Sequence, residues 1–182
     1  MGEMLTMQAA PDLGIPDVKP AIESIRGRWE PKMSSRRQHS LLQVRFAALL
    51  TAWAGERGEV GTEWRFYFLP KGERPSSLVP DVAYVSFERM PLEYGELRER
   101  PTIAPDVAVE ILSPDDRRAL LDEKIAMYIG FGSLLVIVAD PETQTIEMHE
   151  PAGVRWFAQP LPATCAAYTD LTIDTATLFE KI

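Results

Sequence analysis

The chain has 182 residues, of which 46% are hydrophobic and 25% are charged, as in an ordinary globular protein with a core of its own. Its net charge of −8 argues against a general polyanion-binding protein, although a local basic face remains compatible with it. The single cysteine, Cys165, excludes an intramolecular disulfide and a cysteine-rich zinc site, and it suits a reducing compartment. Because the chain lacks both a signal peptide and an apolar run of about 20 residues, we expect a cytoplasmic protein without membrane contact.

The first part of the chain divides into a lead-in and the start of a domain. Residues 1–20 contain three prolines and no sustained periodicity, so we expect them to be poorly ordered. We expect a single domain at 21–182. It begins with two short strands that turn at Arg26 and Gly27.

A long helix is predicted next. Ser34 or Ser35 is suited to cap it. Apolar residues then recur at three- and four-residue spacings from Leu41 to Trp53, which is the period of an amphipathic helix. Gly55 ends the pattern.

Strands dominate the middle of the chain. Alternating patterns predict strands at 59–69 and 79–87, with a polar loop at 71–77 between them. A charged segment at 90–101 leads into a strand rich in Val and Ile, which carries Glu110.

The remaining pattern completes a mixed architecture. Ser113 as N-cap and Pro114 at the first helical position predict a second helix that runs to about Ile129. An uninterrupted apolar run at 134–139 predicts a fully buried strand. The remaining predicted elements are strands at 144–149, 154–158 and 171–173 and one helical turn at 176–181. This order predicts a mixed central β-sheet flanked by helices, in the α/β or α+β class.

Two acidic residues stand on apolar strands, where an ionised carboxylate is costly to bury unless it is paired or binds a metal. Glu110 is one, and Asp81 opens the strand at 79–87. Asp106 shares a strand with Glu110, but four residues at about 3.3 Å each separate them by roughly 13 Å, too far to share an ion. Asp81 is therefore the best partner for Glu110. Converging carboxylates are the ligands that Mg²⁺ or Mn²⁺ prefers.

Lys124 lies on the second predicted helix, on one face with Leu120 and Tyr128. From there it could reach the strand-to-helix junction, where a lysine near a metal-bound water could orient the nucleophile or neutralise phosphate charge. The spacing alone favours a solvated lysine that pairs with Asp122 or Glu123. We expect Tyr128 to serve packing rather than catalysis.

The most basic window of the chain runs from Arg26 to Arg45 and contains Glu30 as its single acid. Part of it lies at a predicted helix N-terminus, where backbone N–H groups also suit phosphate. A nucleic-acid-binding face and a solvated helix start are equally supported. The candidate nucleic-acid-binding residues are Lys32, Arg36, Arg37 and His39.

At these residues the sequence resembles the Uma-two family, a restriction-endonuclease group within the PD-(D/E)xK nuclease superfamily. The resemblance rests on the order and spacing of short motifs that span nearly the whole chain beyond residue 20. The motifs are Ile22–Gly27, Lys32–His39, Pro80–Ala83, Val109–Pro114, Lys124 with Tyr128, Val138–Pro141 and Leu171–Phe179.

The resemblance implies a restriction-endonuclease-like core and a metal-dependent endonuclease that hydrolyses phosphodiester bonds of DNA. By the family pattern, Asp81 and Glu110 are ligands of Mg²⁺ or Mn²⁺. Glu23 is the acidic residue ahead of the core, where a structural role is equally open. Lys124 replaces the lysine normally found two residues after the second acid, since Leu112 holds that position here. A homodimer is expected, because such cores often dimerise to cut both strands.

Two other functions stay open. The missing lysine at Leu112 and the acidic net charge favour a catalytically degenerate nuclease-fold protein that acts as a binding or assembly module. Alternatively, the acids are paired structurally in a protein that is not a nuclease. A metal site would be supported if the Asp81 and Glu110 carboxylates lay within about 5 Å of each other across a cleft, with no basic partner filling the gap. An arginine partner for each acid would favour the structural alternative, and a Lys124 ammonium pointing into the cleft would favour an active enzyme over a degenerate one.

Overall fold

The structure is a computed structural model that describes residues 21–32, 36–70, 72 and 74–182. The lead-in predicted at 1–20 and the predicted capping residues Ser34 and Ser35 lie outside these ranges. Within them, no helix is long and apolar enough to cross a membrane.

The described chain contains twelve strands, three α-helices and one 3-10 helix. The strands are β1 (Ile22–Ile25), β2 (Arg28–Pro31), β3 (Gly58–Thr62), β4 (Phe66–Phe68), β5 (Ser76–Leu78), β6 (Val82–Ser86), β7 (Val107–Ile111), β8 (Leu135–Asp140), β9 (Thr145–Glu150), β10 (Gly153–Ala158), β11 (Ala163–Thr164) and β12 (Thr172–Ile173). The helices are α1 (Arg37–Ala54), α2 (Arg118–Gly130) and α3 (Thr175–Leu178), with a 3-10 helix at Leu92–Glu99.

The described strands form one large sheet, one smaller sheet and a two-stranded antiparallel sheet of β11 and β12. The large sheet has the order β10-β9-β8-β7-β6-β3. In it β7 and β8 run parallel and are joined through α2, whereas the other neighbours are antiparallel. The smaller sheet is antiparallel, with the order β2-β1-β5-β4. The predicted mixed central sheet flanked by helices is therefore confirmed.

Helix α1 covers one face of the large sheet. Leu42, Phe46 and Leu50, each four residues apart, are fully buried. They share a core with Val107 and Val109 of β7. Apolar side chains that recur with the helical period of 3.6 residues thus pack against apolar side chains that recur with the strand period of two.

The opposite face of the large sheet is covered by α2 and the smaller sheet. Ala108 of β7 packs there with Leu121 of α2 and Phe66 of β4. Successive side chains of a strand point to opposite faces, so Glu110 lies on the same face as Ala108, away from Val109. The β7 carboxylate therefore points toward α2.

The structure adds a 3-10 helix at Leu92–Glu99 and the short strand β11, which were not predicted, and it differs from the predicted elements at β5, at β3 and β4, and at the start of α2. Strand β5 lies in the segment predicted to be a polar loop, because its two serines are buried between β1 and β4. The run predicted as one strand at 59–69 is two strands, β3 and β4. Helix α2 begins at Arg118 rather than at Pro114, because the Ser113 N–H donates to Asp116 Oδ2 at 2.7 Å and holds the intervening residues in a turn.

Gly58 marks a close approach of β3 to β6. A Cβ atom at this position would lie 2.2 Å from the Val85 carbonyl oxygen and 2.6 Å from the Tyr84 ring. Gly58→Ala must therefore displace one strand, and we expect it to lower the free energy of unfolding by roughly 1–3 kcal/mol. Urea denaturation followed by circular dichroism measures this change.

Gly130→Ala is the matched control for Gly58→Ala. A Cβ atom at Gly130, the last residue of α2, would meet nothing within 4 Å among the described residues, so this variant should keep or raise the stability. Equal stability of the two variants would contradict the close approach at Gly58.

Candidate active site

A cavity of about 100 Å³ lies where the β1–β2 hairpin, the first turn of α1, the adjoining ends of β6 and β7, and α2 meet. Its ionisable lining residues are Glu23, Glu30, Lys32, His39, Asp81, Glu110, Asp116, Arg117 and Lys124. Several of these are buried, which is costly unless the groups pair with each other or bind a ligand. The cavity is therefore the candidate site.

Asp81 lies immediately before β6 and is only 2% exposed. Its backbone N–H donates to the Val109 carbonyl oxygen at 3.0 Å, and its Oδ2 accepts from the Ile111 N–H at 2.7 Å. These two bonds lie on either side of Glu110 along β7. The fold thus brings Asp81 beside Glu110 from the neighbouring strand.

A lysine and a histidine surround the Asp81 carboxylate. The Lys32 ammonium lies 2.9 Å from Oδ1, and His39 Nε2 lies 3.2 Å from Oδ2. Burial raises the pKa of Asp81, but Lys32 and His39 lower it more, so that its pKa lies well below the ordinary value. Burial lowers the pKa of His39 in turn, yet the contact with Asp81 raises it above the ordinary value.

Lys32 is held by several groups at the end of the β1–β2 hairpin. Its ammonium donates to the Val79 carbonyl oxygen at 2.6 Å and lies 3.2 Å from Glu63 Oε1. Burial lowers the pKa of Lys32, but Asp81 and Glu110 raise it more, so that the net effect on its pKa is upward. Lys32 is therefore a cation within the cavity.

The four candidate nucleic-acid-binding residues divide into two pairs. Lys32 and His39 line the cavity. Arg36 and Arg37 are exposed at the start of α1, where Arg36 lies 3.4 Å from the Asp115 carboxylate. The basic window thus contributes both to the cavity and to the surface beside it.

Glu110 accepts hydrogen bonds from two α2 side chains that are one turn apart. Lys124 Nζ donates to Oε2 at 2.6 Å, and the Tyr128 hydroxyl donates to Oε1 at 2.8 Å. The alternative that spacing alone favoured, a solvated Lys124 paired with Asp122 or Glu123, is therefore wrong. Lys124 and Tyr128 instead share the buried face of the helix, and Tyr128 does more than pack.

Glu23 of β1 reaches the same place from the smaller sheet. Its Oε1 accepts from the Val79 N–H at 2.7 Å and lies 3.2 Å from Lys124 Nζ. Lys124 thus bridges Glu23 and Glu110. Glu23 both anchors the end of β5 and lines the cavity, so the four residues predicted as catalytic lie together.

The Lys124 ammonium is shared between two carboxylates, and this sharing affects the pKa values of Lys124 and Glu110 differently. Burial raises the pKa of Glu110 to about 7; Lys124 opposes this rise, while Glu23 and Asp81 add to it. Burial lowers the pKa of Lys124, but Glu110 and Glu23 raise it well above the ordinary value. The lysine is therefore stabilised as a cation more than Glu110 is stabilised as an anion.

The carboxylates of Asp81 and Glu110 meet part of the requirements of a site for a divalent ion. Among the described residues, no group of three or more His, Cys, Asp or Glu side chains could hold a metal ion. Mg²⁺, however, is usually bound through one or two carboxylates together with waters and substrate phosphates. Asp81 Oδ1 is buried and accepts no hydrogen bond within the described chain, although it contacts the Lys32 ammonium. Asp81 and Glu110 therefore offer the hard oxygen ligands that such an ion needs.

Comparison with known proteins adds a family and a related structure. A family model described as "Uma2: Putative restriction endonuclease" matches residues 12–164. A similar solved structure is that of "a putative nuclease belonging to DUF820 from Anabaena variabilis ATCC 29413", which is 26% identical, with coverage of 92% of this chain and 94% of that chain and a TM-score of 0.81. No curated protein matches the chain.

The raised pKa of Glu110 makes the stability of the protein depend on pH. The folded protein keeps a proton on Glu110 up to about pH 7, whereas the unfolded chain releases it near the ordinary carboxyl pKa. Protonated Glu110 therefore stabilises the folded state by its full amount at pH values below the pKa of the unfolded chain. This stabilisation is lost as the pH rises toward 7. A tenfold difference in proton affinity between the folded and unfolded states corresponds to about 1.4 kcal/mol of stability.

Glu110→Gln removes this titration and tests it. We expect the free energy of unfolding of the native protein, relative to the variant, to fall by a few kcal/mol between about pH 5 and about pH 8. Urea denaturation of both proteins across this range measures the difference. A difference that stays constant with pH would contradict the raised pKa.

Proposed function

This chain belongs to the Uma-two restriction-endonuclease family, and we propose that it is a metal-dependent endonuclease that hydrolyses phosphodiester bonds of DNA. The family supports a nuclease, and the metal ion and the DNA substrate are our proposal. The observation that carries the proposal is one cavity that holds the adjacent carboxylates of Asp81 and Glu110 together with the Lys124 ammonium.

We assign Asp81 and Glu110 as the residues that hold Mg²⁺ or Mn²⁺. When bound, such an ion lowers the pKa of a coordinated water and draws charge from a phosphate oxygen. The protein orients both ligands: the Ile111 N–H fixes Asp81, and Tyr128 fixes Glu110. Fixed ligands of this kind favour a single coordination geometry.

Lys124 is proposed to act in place of the lysine that is absent at Leu112. Its ammonium lies 2.6 Å from Glu110, and both Lys124 and Leu112 line the cavity. From this position a lysine can donate to a phosphate oxygen and stabilise the negative charge that develops during hydrolysis.

DNA phosphates are proposed to contact the exposed arginines beside the cavity. Arg36 pairs with Asp115 at 3.4 Å, and Arg117 at the cavity wall pairs with Glu30 at 2.8 Å. Exposed ion pairs contribute little stability, so a DNA phosphate can replace these carboxylates at small cost. We propose Arg36 and Arg37 as backbone contacts, and Lys32 and His39 as groups near the reacting phosphate.

Nuclease cores of this kind often dimerise, so that each copy cuts one DNA strand. We therefore propose that the protein acts as a homodimer with one cavity in each copy, and that 21–182 folds as the single catalytic domain of each copy. The lone cysteine is compatible with action in the cytoplasm.

A catalytically degenerate nuclease-fold protein is the second candidate function. The observation in its favour is that Asp81 and Glu110 each have a lysine partner at 2.9 Å or less, so each proposed ligand has a cation beside it without a metal ion. Such a protein would bind DNA or a partner without cleaving it.

Glu110→Gln tests the proposed ligand. We expect this variant to bind Mn²⁺ at least about tenfold more weakly in calorimetry and to lose nicking of supercoiled plasmid, because a neutral amide replaces the carboxylate. Glu147→Gln is the matched control: Glu147 is also buried but pairs with Arg118 outside the cavity, so Mn²⁺ binding and nicking should persist.

The native protein separates the candidate functions in the same assays. Binding of Mn²⁺ without nicking would favour the degenerate nuclease. A native protein that binds no Mn²⁺, or a Glu110→Gln variant that binds it as the native protein does, would overturn the assignment of Glu110 as a ligand.

Lys124→Met separates transition-state stabilisation from metal binding. We expect plasmid nicking to fall by about 10²- to 10³-fold while the variant still binds Mn²⁺, because Lys124 is not proposed as a ligand. Glu123→Gln changes the neighbouring residue, whose carboxylate pairs with Arg28 at the surface, and should leave nicking unchanged. Loss of Mn²⁺ binding in Lys124→Met would instead indicate that the lysine only maintains the structure of the site.

A further inference from the structure

Lys32 covers the carboxylate oxygen of Asp81 that is best placed to receive a cation. Asp81 Oδ2 is occupied by the Ile111 N–H and by His39. Asp81 Oδ1 accepts no hydrogen bond within the described chain, and the Lys32 ammonium contacts it as an ion pair at 2.9 Å. The ammonium therefore lies where a metal ion that uses Oδ1 must approach.

The backbone of Lys32 is fixed at the end of the hairpin, whereas its ammonium contacts both buried and exposed groups. The Lys32 N–H donates to the Ala21 carbonyl oxygen at 2.8 Å, which fixes the end of the hairpin. The ammonium donates to the Val79 carbonyl oxygen at 2.6 Å and also contacts Glu63, whose side chain is 44% exposed. A flexible stem that ends between a buried and an exposed carboxylate can move its charge by a few bond rotations.

Lys124 is less free to exchange partners than Lys32. It bridges two buried carboxylates, Glu110 at 2.6 Å and Glu23 at 3.2 Å. If Lys124 moved away, both carboxylates would be left without their cation, which is far more costly than uncovering one oxygen of Asp81, since His39 remains beside that carboxylate. The geometry thus singles out Lys32 as the mobile cation.

We propose that Lys32 is an exchangeable counter-ion, which neutralises Asp81 without metal and moves to the phosphodiester when a divalent ion binds. This inference rests on the proposed function and assigns a positioning role to Lys32. A divalent ion beside Asp81 repels the ammonium, and a phosphate beside the ion attracts it. Metal and phosphodiester therefore bind cooperatively, and each must strengthen the binding of the other by the same factor.

Calorimetry with Mn²⁺ tests this role, with and without a short duplex oligonucleotide whose phosphorothioate linkages resist hydrolysis. The measured quantity is the ratio of the two Mn²⁺ dissociation constants, which we call the coupling ratio. For the native protein we expect the duplex to tighten Mn²⁺ binding by about 5- to 150-fold. Lys32→Met should bind Mn²⁺ more tightly than the native protein in the absence of the duplex. Its coupling ratio should be several-fold lower than the native ratio, because only the direct attraction between ion and phosphate then remains.

Two further variants keep the test specific to Lys32. Lys32→Arg keeps the positive charge and should retain much of the coupling. Lys181→Met removes an exposed lysine that pairs with Glu180 and should behave as the native protein. If Lys32→Met fails to fold, Lys32→Gln, which keeps a neutral hydrogen-bond donor on the side chain, replaces it under the same criteria.

Each contrary result has a distinct meaning. An unchanged coupling ratio in Lys32→Met, or a native ratio close to one, would overturn the role of Lys32 and leave the proposed nuclease intact. Loss of Mn²⁺ binding in a folded Lys32→Met variant would show that Lys32 only holds Asp81 in place, which also overturns the role. A native protein that binds no Mn²⁺ even with the duplex would overturn the proposed function itself.

Discussion

The burial of two carboxylates beside each other is the constraint on which this structure depends. Asp81 and Glu110 meet at the adjoining ends of β6 and β7, where each loses hydration and repels the other. The chain offsets this cost with donors from separate elements: His39 from α1, Lys32 from the end of the hairpin and Lys124 from α2. The same ion pairs therefore position the hairpin and both helices against the sheet.

A site that carries its own cations does not need a metal ion in order to fold. Lys124 bridges Glu23 and Glu110, and Lys32 covers Asp81, so the buried charges are largely compensated within the chain. The compensation is incomplete at Glu110, because burial raises the pKa of this residue to about 7. Charge compensation in the folded protein and cation binding in the proposed reaction thus use the same oxygen of Asp81, which makes Lys32 a competitor of the ion.

Elements with a long apolar pattern could be predicted from the sequence. The spacing from Leu41 to Trp53 indicated α1, and the apolar run at 134–139 indicated β8. Strand β5 could not be predicted, because its serines are polar and are buried only through pairing with β1 and β4. The start of α2 was misplaced because Asp116 caps a turn at Ser113, which competes with the first turn of the helix.

The sequence by itself determined which residues alternate along a strand and recur along a helix. It thereby indicated that Glu110 departs from the apolar pattern of its strand and that its partner must come from another strand, with Asp81 as the candidate. Only the tertiary structure decided that Lys32 and His39 contact Asp81 and that Lys124 is buried against Glu110. Periodicity reports on neighbours within one element, whereas an ion pair between elements depends on how those elements pack.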